Sequence, residues 1–203
     1  MGGFTLIVIG IVGKICSGKD LGIEIFRKHG FKEINVDKLG HEALVVKQEE
    51  LVQAFSSDIL EDGVISRSKL AQLVFKDEDK LATLNSIVHP WMKEEVKKEL
   101  NEEKCIINAA LLYQMKLDEL CNCVLYIHAH SSEREKRAVE FRNMDREDFR
   151  RRNEIQNDLD QYLFTSNKQI TIINDKTEDI YYRQIELLCA IISKRGIFNE
   201  NSN

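Results

Sequence analysis

The sequence predicts an α/β protein with a five-stranded parallel sheet and two helical excursions from the sheet edge that carries the ligand. Three observations lead there. Short apolar runs alternate with stretches of helical periodicity. The first run, Leu6 to Val12, leads directly into Gly13-x-x-x-x-Gly18-Lys19. No repeat or low-complexity linker interrupts the order.

Each element has its own signal. Leu6 to Val12 is β-branched and apolar on both faces, as a central parallel strand should be. Leu21 to His29 is amphipathic and reads as the first helix, with Gly30 as its C-terminal cap. Phe31 to Val36 reads as a second strand ending at Asp37, which completes a βαβ unit. From Lys38 to Asn101 the periodicity is helical, apart from a turn at Glu61-Asp62-Gly63 that leads to Ser66, a helix cap. Pro90, the only proline, should start or kink a helix. Cys105 to Leu112 and Cys123 to Ala129 are the third and fourth strands, joined by a loop or short helix. Ser131 to Asn167 is a polar helical insertion rich in arginine, Gln169 to Ile173 the fifth strand, Thr177 to Arg195 the closing helix, and 199–203 a disordered tail.

Composition narrows the function. With 203 residues, 43% hydrophobic, the chain can bury one well-packed core. A net charge of −5 argues against a dedicated nucleic-acid binder, because affinity for a phosphate backbone needs clustered cations. Five cysteines, an odd number in a chain too large to need staples, read as reduced thiols of a cytoplasmic protein. Cys121-x-Cys123 lacks a second ligand pair and reads as structural. No signal or membrane segment is expected, since the first apolar stretch is short and runs into the glycine loop.

The loop itself is a phosphate cradle. Its glycines let backbone N–H groups turn around phosphate oxygens, the following helix offers its N-terminal dipole, and Lys19 adds a mobile charge. The hydroxyl residue usual after the lysine is Asp20 here. Phosphoryl transfer further needs a proton acceptor and mobile cations. Asp37 fits the first need, though it also fits a helix cap. Arg142 and Arg152 are chosen to face the phosphates, while the remaining charges of the insertion read as a solvated face. His89 is a ligand contact or a packed core histidine. His128-x-His130 lacks a third metal ligand, and Trp91, Tyr181 and Tyr182 read as packing.

The chain resembles bacterial dephospho-CoA kinases along nearly its whole length. The resemblance rests on Val12-Gly-Lys-Ile-Cys-Ser-Gly-Lys19, Ile34-Asn-Val-Asp37, Asp62-Gly-Val-Ile-Ser-Arg67, Leu84-Asn-Ser-Ile-Val-His-Pro90, Ala110-Leu-Leu112, Lys136-Arg137, Arg142, Arg152-x-x-x-Gln156 and Ile173-Asn174, in that order and spacing. It implies a three-layer P-loop NTPase fold: a nucleotide-binding core of 1–37, 102–130 and 168–198, a helical CoA-acceptor domain of 38–101 and an arginine-rich lid of 131–167. The implied reaction moves the γ-phosphoryl of ATP to the ribose 3′-hydroxyl of dephospho-CoA, with magnesium. Catalysis would fall to Asp37, Lys19 and Arg142. ATP would be bound by Gly13, Lys14, Ile15, Cys16, Ser17, Gly18, Lys19, Asp20, Leu21, Arg142 and Asn174, and the acceptor by Asp37, Arg67, His89 and Leu111.

Several positions depart from the family pattern, which has glycines at Lys14 and Cys16, aspartate at Asn35, and proline and glutamate at Ala110 and Gln114. Asp20 would repel a triphosphate unless a magnesium ion lay between them, in which case its hard oxygens would bind the metal directly. The expected partners are small molecules, with no nucleic acid and no membrane, in a monomer or weak homo-oligomer. Two other readings stay open: a nucleoside or nucleotide kinase of the same fold, and a nucleotide or CoA binder that has lost its chemistry through Asp20, Asn35 and Gln114.

Overall fold

A computed structural model describes residues 6–75, 77–162 and 168–195. The expected tail, 199–203, and residues 163–167 of the expected lid lie outside them. The described chain divides into two compact units, residues 1–34 with 101–203 and residues 35–100.

The first unit is organised on a five-stranded sheet in the order β2-β5-β1-β6-β7. Its strands are β1 (Ile7–Val12), β2 (Lys32–Asn35), β5 (Lys104–Asn108), β6 (Cys123–His128) and β7 (Gln169–Ile173). The pairings of β1 with β5, β1 with β6 and β6 with β7 are all parallel. A parallel sheet is covered on both faces, which is why β1 reads as unbroken hydrophobic sequence. Ile9 and Ile11 face helices α1 (Lys19–Lys28) and α8 (Glu178–Arg195), where Ile23, Phe26, Tyr181, Ile185, Cys189 and Ile192 complete the core. The α8 contributions recur at helical spacing, so one stripe of that helix is buried. On the opposite face the connection 109–121 covers β1: a side chain at Gly10 would press on Leu112 and Cys121.

Helix α1 ends as its sequence suggests. Gly30 has φ +82°, its N–H bonds Arg27 O and the Phe31 N–H bonds Phe26 O, the paired bonds of a Schellman cap. The hydrophobic contact that accompanies this cap is the edge-to-face pair Phe26 and Phe31, 5.1 Å between centroids.

Two more helices of this unit, α6 (Ser131–Arg142) and α7 (Arg146–Ile155), form the arginine-rich insertion. Asn143 between them has φ +47°, and Asp145 caps α7 through Asp148 N–H. His130 caps α6, its side chain accepting from Ser132 N–H. That gives the His128-x-His130 pair a structural use for one member, and no group of three metal-ligating side chains occurs among the described residues. Cys121 and Cys123 are buried, and burial pushes the Cys123 thiol up to about 12, which fits packing. No disulfide joins the five cysteines. No helix among the described residues is long and apolar enough to cross a membrane.

The second unit contains α2 (Val36–Val46), α3 (Gln48–Phe55), α4 (Arg67–Val74), α5 (Glu78–Glu99) and a hairpin of β3 (Leu60–Glu61) and β4 (Val64–Ile65). The sequence reading of one helical stretch with a turn misses that hairpin. Its signal was Asp62-Gly63, whose φ values of +51° and +80° suit a two-residue hairpin turn. Pro90 lies inside the 22-residue α5 and does not start it. Helix α2 packs on α5 through Gly40 and Met92, with Leu39, Ala43, Leu51, Phe55, Leu70 and Val96 buried nearby in the unit.

Gly30 has open space where a β-carbon would sit, so a substitution there tests backbone conformation alone. Gly30→Ala should lower unfolding stability by about 1 kcal/mol, and Gly30→Asn by less, in urea denaturation.

Candidate functional site

Strand β1 delivers the chain to the carboxyl edge of the sheet between β5 and β6, where the strand order reverses and α/β proteins bind ligands. Residues 13–18 then fold back so that α1 begins at Lys19. Two left-handed residues make the turn, Cys16 at φ +59° and Gly18 at φ +104°. A side chain costs about 1 kcal/mol or more in that region, so Cys16 holds a position that glycine would fill with less strain.

The loop's carbonyls are tied outward. Ile15 O accepts from Arg134 Nη1 at 3.4 Å, Ser17 O from Asn174 Nδ2 at 2.8 Å and Gly18 O from Tyr181 Oη at 2.9 Å. In a trans peptide the N–H points opposite to the C=O. These tethers therefore turn the N–H groups of Cys16, Gly18 and Lys19 to the other side, as an arc at the mouth of α1. Such an arc binds anions. The loop is also held at its entry, where Ile15 N–H donates to Gln156 Oε1 at 2.6 Å.

Asn174 is the hub of these tethers. Its own N–H bonds His128 O at 2.7 Å, which fixes it to the end of β6. Arg137 Nη2 donates to Asn174 O at 2.7 Å and to Oδ1 at 3.3 Å, which orients the amide so that Nδ2 reaches the loop. Arg134 is buried and pinned by Nε to Ala129 O at 3.0 Å.

Beside the loop opens a cleft of about 440 Å³, lined by Cys16, Gly18, Asp20, Leu21, Phe141, Asn174 and Tyr181. Its cations are Lys136, Arg137, Arg142 and Lys176, and its anions Asp20, Glu133, Glu140 and Glu178. Burial pushes the Cys16 thiol up despite the guanidinium groups of Arg142, Arg134 and Arg137. A smaller cavity of about 270 Å³ lies beside the loop, lined by Lys14, Ser17, His128, Arg134 and Asn153. Ser17 Oγ is buried and has no hydrogen-bond partner among the described residues.

The structure thus brings together the loop residues Gly13 to Leu21 with Asn174 and Arg142, the last bonded through Nη2 to Asp20 Oδ2. Arg152 does not join them, because Asp148 one turn away takes its Nε at 2.9 Å. The arginines that reach the loop network are Arg134 and Arg137. Leu111 is exposed in the 109–121 connection and does not line the cleft.

Asp37, Arg67 and His89 belong to the unit of residues 35–100. Asp37 neither ends β2 nor caps a helix: Asn35 is the cap, accepting from Lys38 N–H at 3.1 Å, and Asp37 is exposed in the first turn of α2. Arg67 Nη1 lies 2.9 Å from His41 Nε2. A guanidinium only donates, so His41 Nε2 is the acceptor of that bond. His89 is half-buried, and burial lowers its pKa.

Sequence reasoning missed the structural use of Tyr181, Arg134 and Arg137, and also Phe141 and His41. The signal for Tyr181 is its place on the apolar stripe of α8. Nothing in the spacing of the arginines marks which ones turn inward.

The sequence profile of the dephospho-CoA kinase family matches residues 7–178. Among curated relatives, the dephospho-CoA kinase of Borreliella burgdorferi is 38% identical over 190 residues, covering 89% of this chain and 91% of that protein. A solved Thermus thermophilus structure is 25% identical, with a TM-score of 0.80 over 95% of this chain and all of that one. The dephospho-CoA kinase structure from Campylobacter jejuni, at 22% identity and a TM-score of 0.67 over 94% of this chain and 98% of its own, shares the fold.

Asn174→Ala strips a partner from Ser17 O and from Arg137, so it should cost about 1–3 kcal/mol in urea unfolding and weaken pyrophosphate binding about tenfold by calorimetry. Tyr181→Phe removes one bond and should cost about 1 kcal/mol. His89 has a folded-state pKa below its ordinary 6.5, so the neutral form is favoured on folding. Its contribution to stability is present above that pH and lost as pH falls through the lowered value; His89→Gln should flatten the stability curve there.

Proposed function

The chain belongs to the dephospho-CoA kinase family, and we propose that it catalyses the ATP-dependent phosphorylation of the ribose 3′-hydroxyl of dephospho-CoA, giving coenzyme A and ADP. The observation that carries this reading is the loop of residues 13–19, whose carbonyls are tied outward at the carboxyl edge of β1. Family membership supplies the acceptor.

In this reading the amides of Cys16, Gly18 and Lys19 hold phosphate oxygens, and Lys19 neutralises charge on the transferring group. Gly13 to Leu21, Arg142 and Asn174 form the ATP site. The insertion 131–167 is the lid, and the unit of residues 35–100 takes dephospho-CoA with Arg67 and His89; Leu111 is a further acceptor contact. Asp37 accepts the proton of the acceptor hydroxyl as its oxygen bonds to the γ-phosphorus and the bond to the bridging oxygen of ADP breaks. Its residue type and the resemblance of the Ile34 to Asp37 stretch to the family, apart from Asn35, support that role.

Magnesium is the proposed metal. It would neutralise charge on the phosphates. The donor chemistry fits: Asp20, in the first turn of α1, is exposed to the cleft and offers hard carboxylate oxygens. The reaction is placed in the cytoplasm, in keeping with five cysteines that form no disulfide.

The test is a coupled assay for ADP release. Turnover should require dephospho-CoA and magnesium, and nucleosides or nucleotides should not replace the acceptor. Asp37→Asn should lower kcat by about 10²- to 10⁴-fold while nucleotide binding is retained. Full turnover in Asp37→Asn would remove Asp37 as the base, and equal turnover with a nucleoside would remove the assigned acceptor.

A further inference from the structure

Asp20 directly follows Lys19, and its Oδ2 accepts from Arg142 Nη2 at the carboxyl end of α6, 122 residues along the chain. Neither helix needs the pair. An acidic residue in the first turn of α1 and a basic one in the last turn of α6 each already suit their helix dipole. The side chains are 71% and 52% exposed, and exposed ion pairs contribute little to stability. What the pair does is positional: it lays a lid guanidinium across the first turn of α1, beside the phosphate-binding arc.

The surrounding charge makes that position matter. Four cationic and four anionic side chains line the cleft, so an incoming polyanion meets carboxylates there as well as cations. A triphosphate seated on the arc would face the Asp20 carboxylate at close range. Repulsion there is relieved only if the carboxylate finds a new cation.

We infer that Asp20 and Arg142 form a charge-exchange gate on the nucleotide site, Asp20 holding Arg142 at the cradle until a metal-bound nucleotide enters. Arg142 then passes to phosphate oxygens, whose geometry suits a guanidinium fork, and Asp20 passes to the metal. Each partner leaves the other only for a better one. A metal-free nucleotide offers Asp20 nothing in exchange, so it must break the pair and leave a bare carboxylate beside its phosphates. The gate thereby restricts the site to metal-bound nucleotide. The inference rests on the kinase reading of this cleft.

The test is calorimetric binding of a non-hydrolysable ATP analogue to the full chain, in magnesium and in EDTA, for the parent, Asp20→Asn, Arg142→Ala and the double variant. Circular dichroism checks that each variant is folded. In EDTA, Asp20→Asn should bind about tenfold more tightly than the parent, since both the repulsion and the need to break the pair are gone. In the Arg142→Ala background the same change should tighten binding by only about twofold, because no pair remains to break. Equal effects of Asp20→Asn in the two backgrounds, or no tightening in either, would overturn the gate. A parent that binds no analogue even with magnesium would instead sink the kinase reading itself.

Discussion

Each peptide unit in the loop after β1 has one polar end for the protein and one for a ligand. Because a trans peptide sets its C=O and N–H in opposite directions, bonding the carbonyl outward decides where the amide points. Arg134, Asn174 and Tyr181 do this at Ile15, Ser17 and Gly18. The three donors come from α6, the end of β7 and α8. The site's geometry thus depends on the sheet order that brings those ends together, and an error in packing α8 against α1 would be felt as a rotated amide at the cradle.

The same contacts connect the arginine-rich insertion to the loop. Arg134 and Arg137 are structural cations, spent on carbonyl oxygens and on orienting Asn174. Arg142 differs from them, since its partner is a charged side chain at the edge of the cleft. The insertion thus has two arginines fixed on carbonyl oxygens and one paired to a side-chain carboxylate at the cleft. Cys16 shows the converse economy: a left-handed residue with a side chain is tolerated where the turn is pinned on both sides.

Much of this was legible in the sequence because it rests on local signals. The apolar β1 run, the glycine spacing and Gly30 report backbone needs that only certain residues meet, and β7 was read to its ends, Gln169 to Ile173. The βαβ unit likewise follows from periodicity. What was not legible depends on side-chain direction. Arg152 was chosen for the phosphates over Arg137, yet an acidic neighbour at i−4 claims Arg152 locally, while Arg137 lies on the face of α6 turned to Asn174. Asp37 was read as the tip of a strand running from Phe31 to Val36; Asn35 caps the next helix two residues earlier and moves Asp37 into its first turn. The hairpin at Asp62-Gly63 was read only as a turn, since two-residue strands carry too few residues for any period to show.

The measurement that bears most directly on the outward-tethered loop is an amide NMR titration of the full chain with pyrophosphate and then magnesium-ATP. Hydrogen bonding to phosphate oxygen should move the amide protons of Cys16, Gly18 and Lys19 downfield together, with the Asn174 side-chain amide retaining its position. If those three amides stay unmoved while saturable binding is seen elsewhere, the loop is not the phosphate cradle.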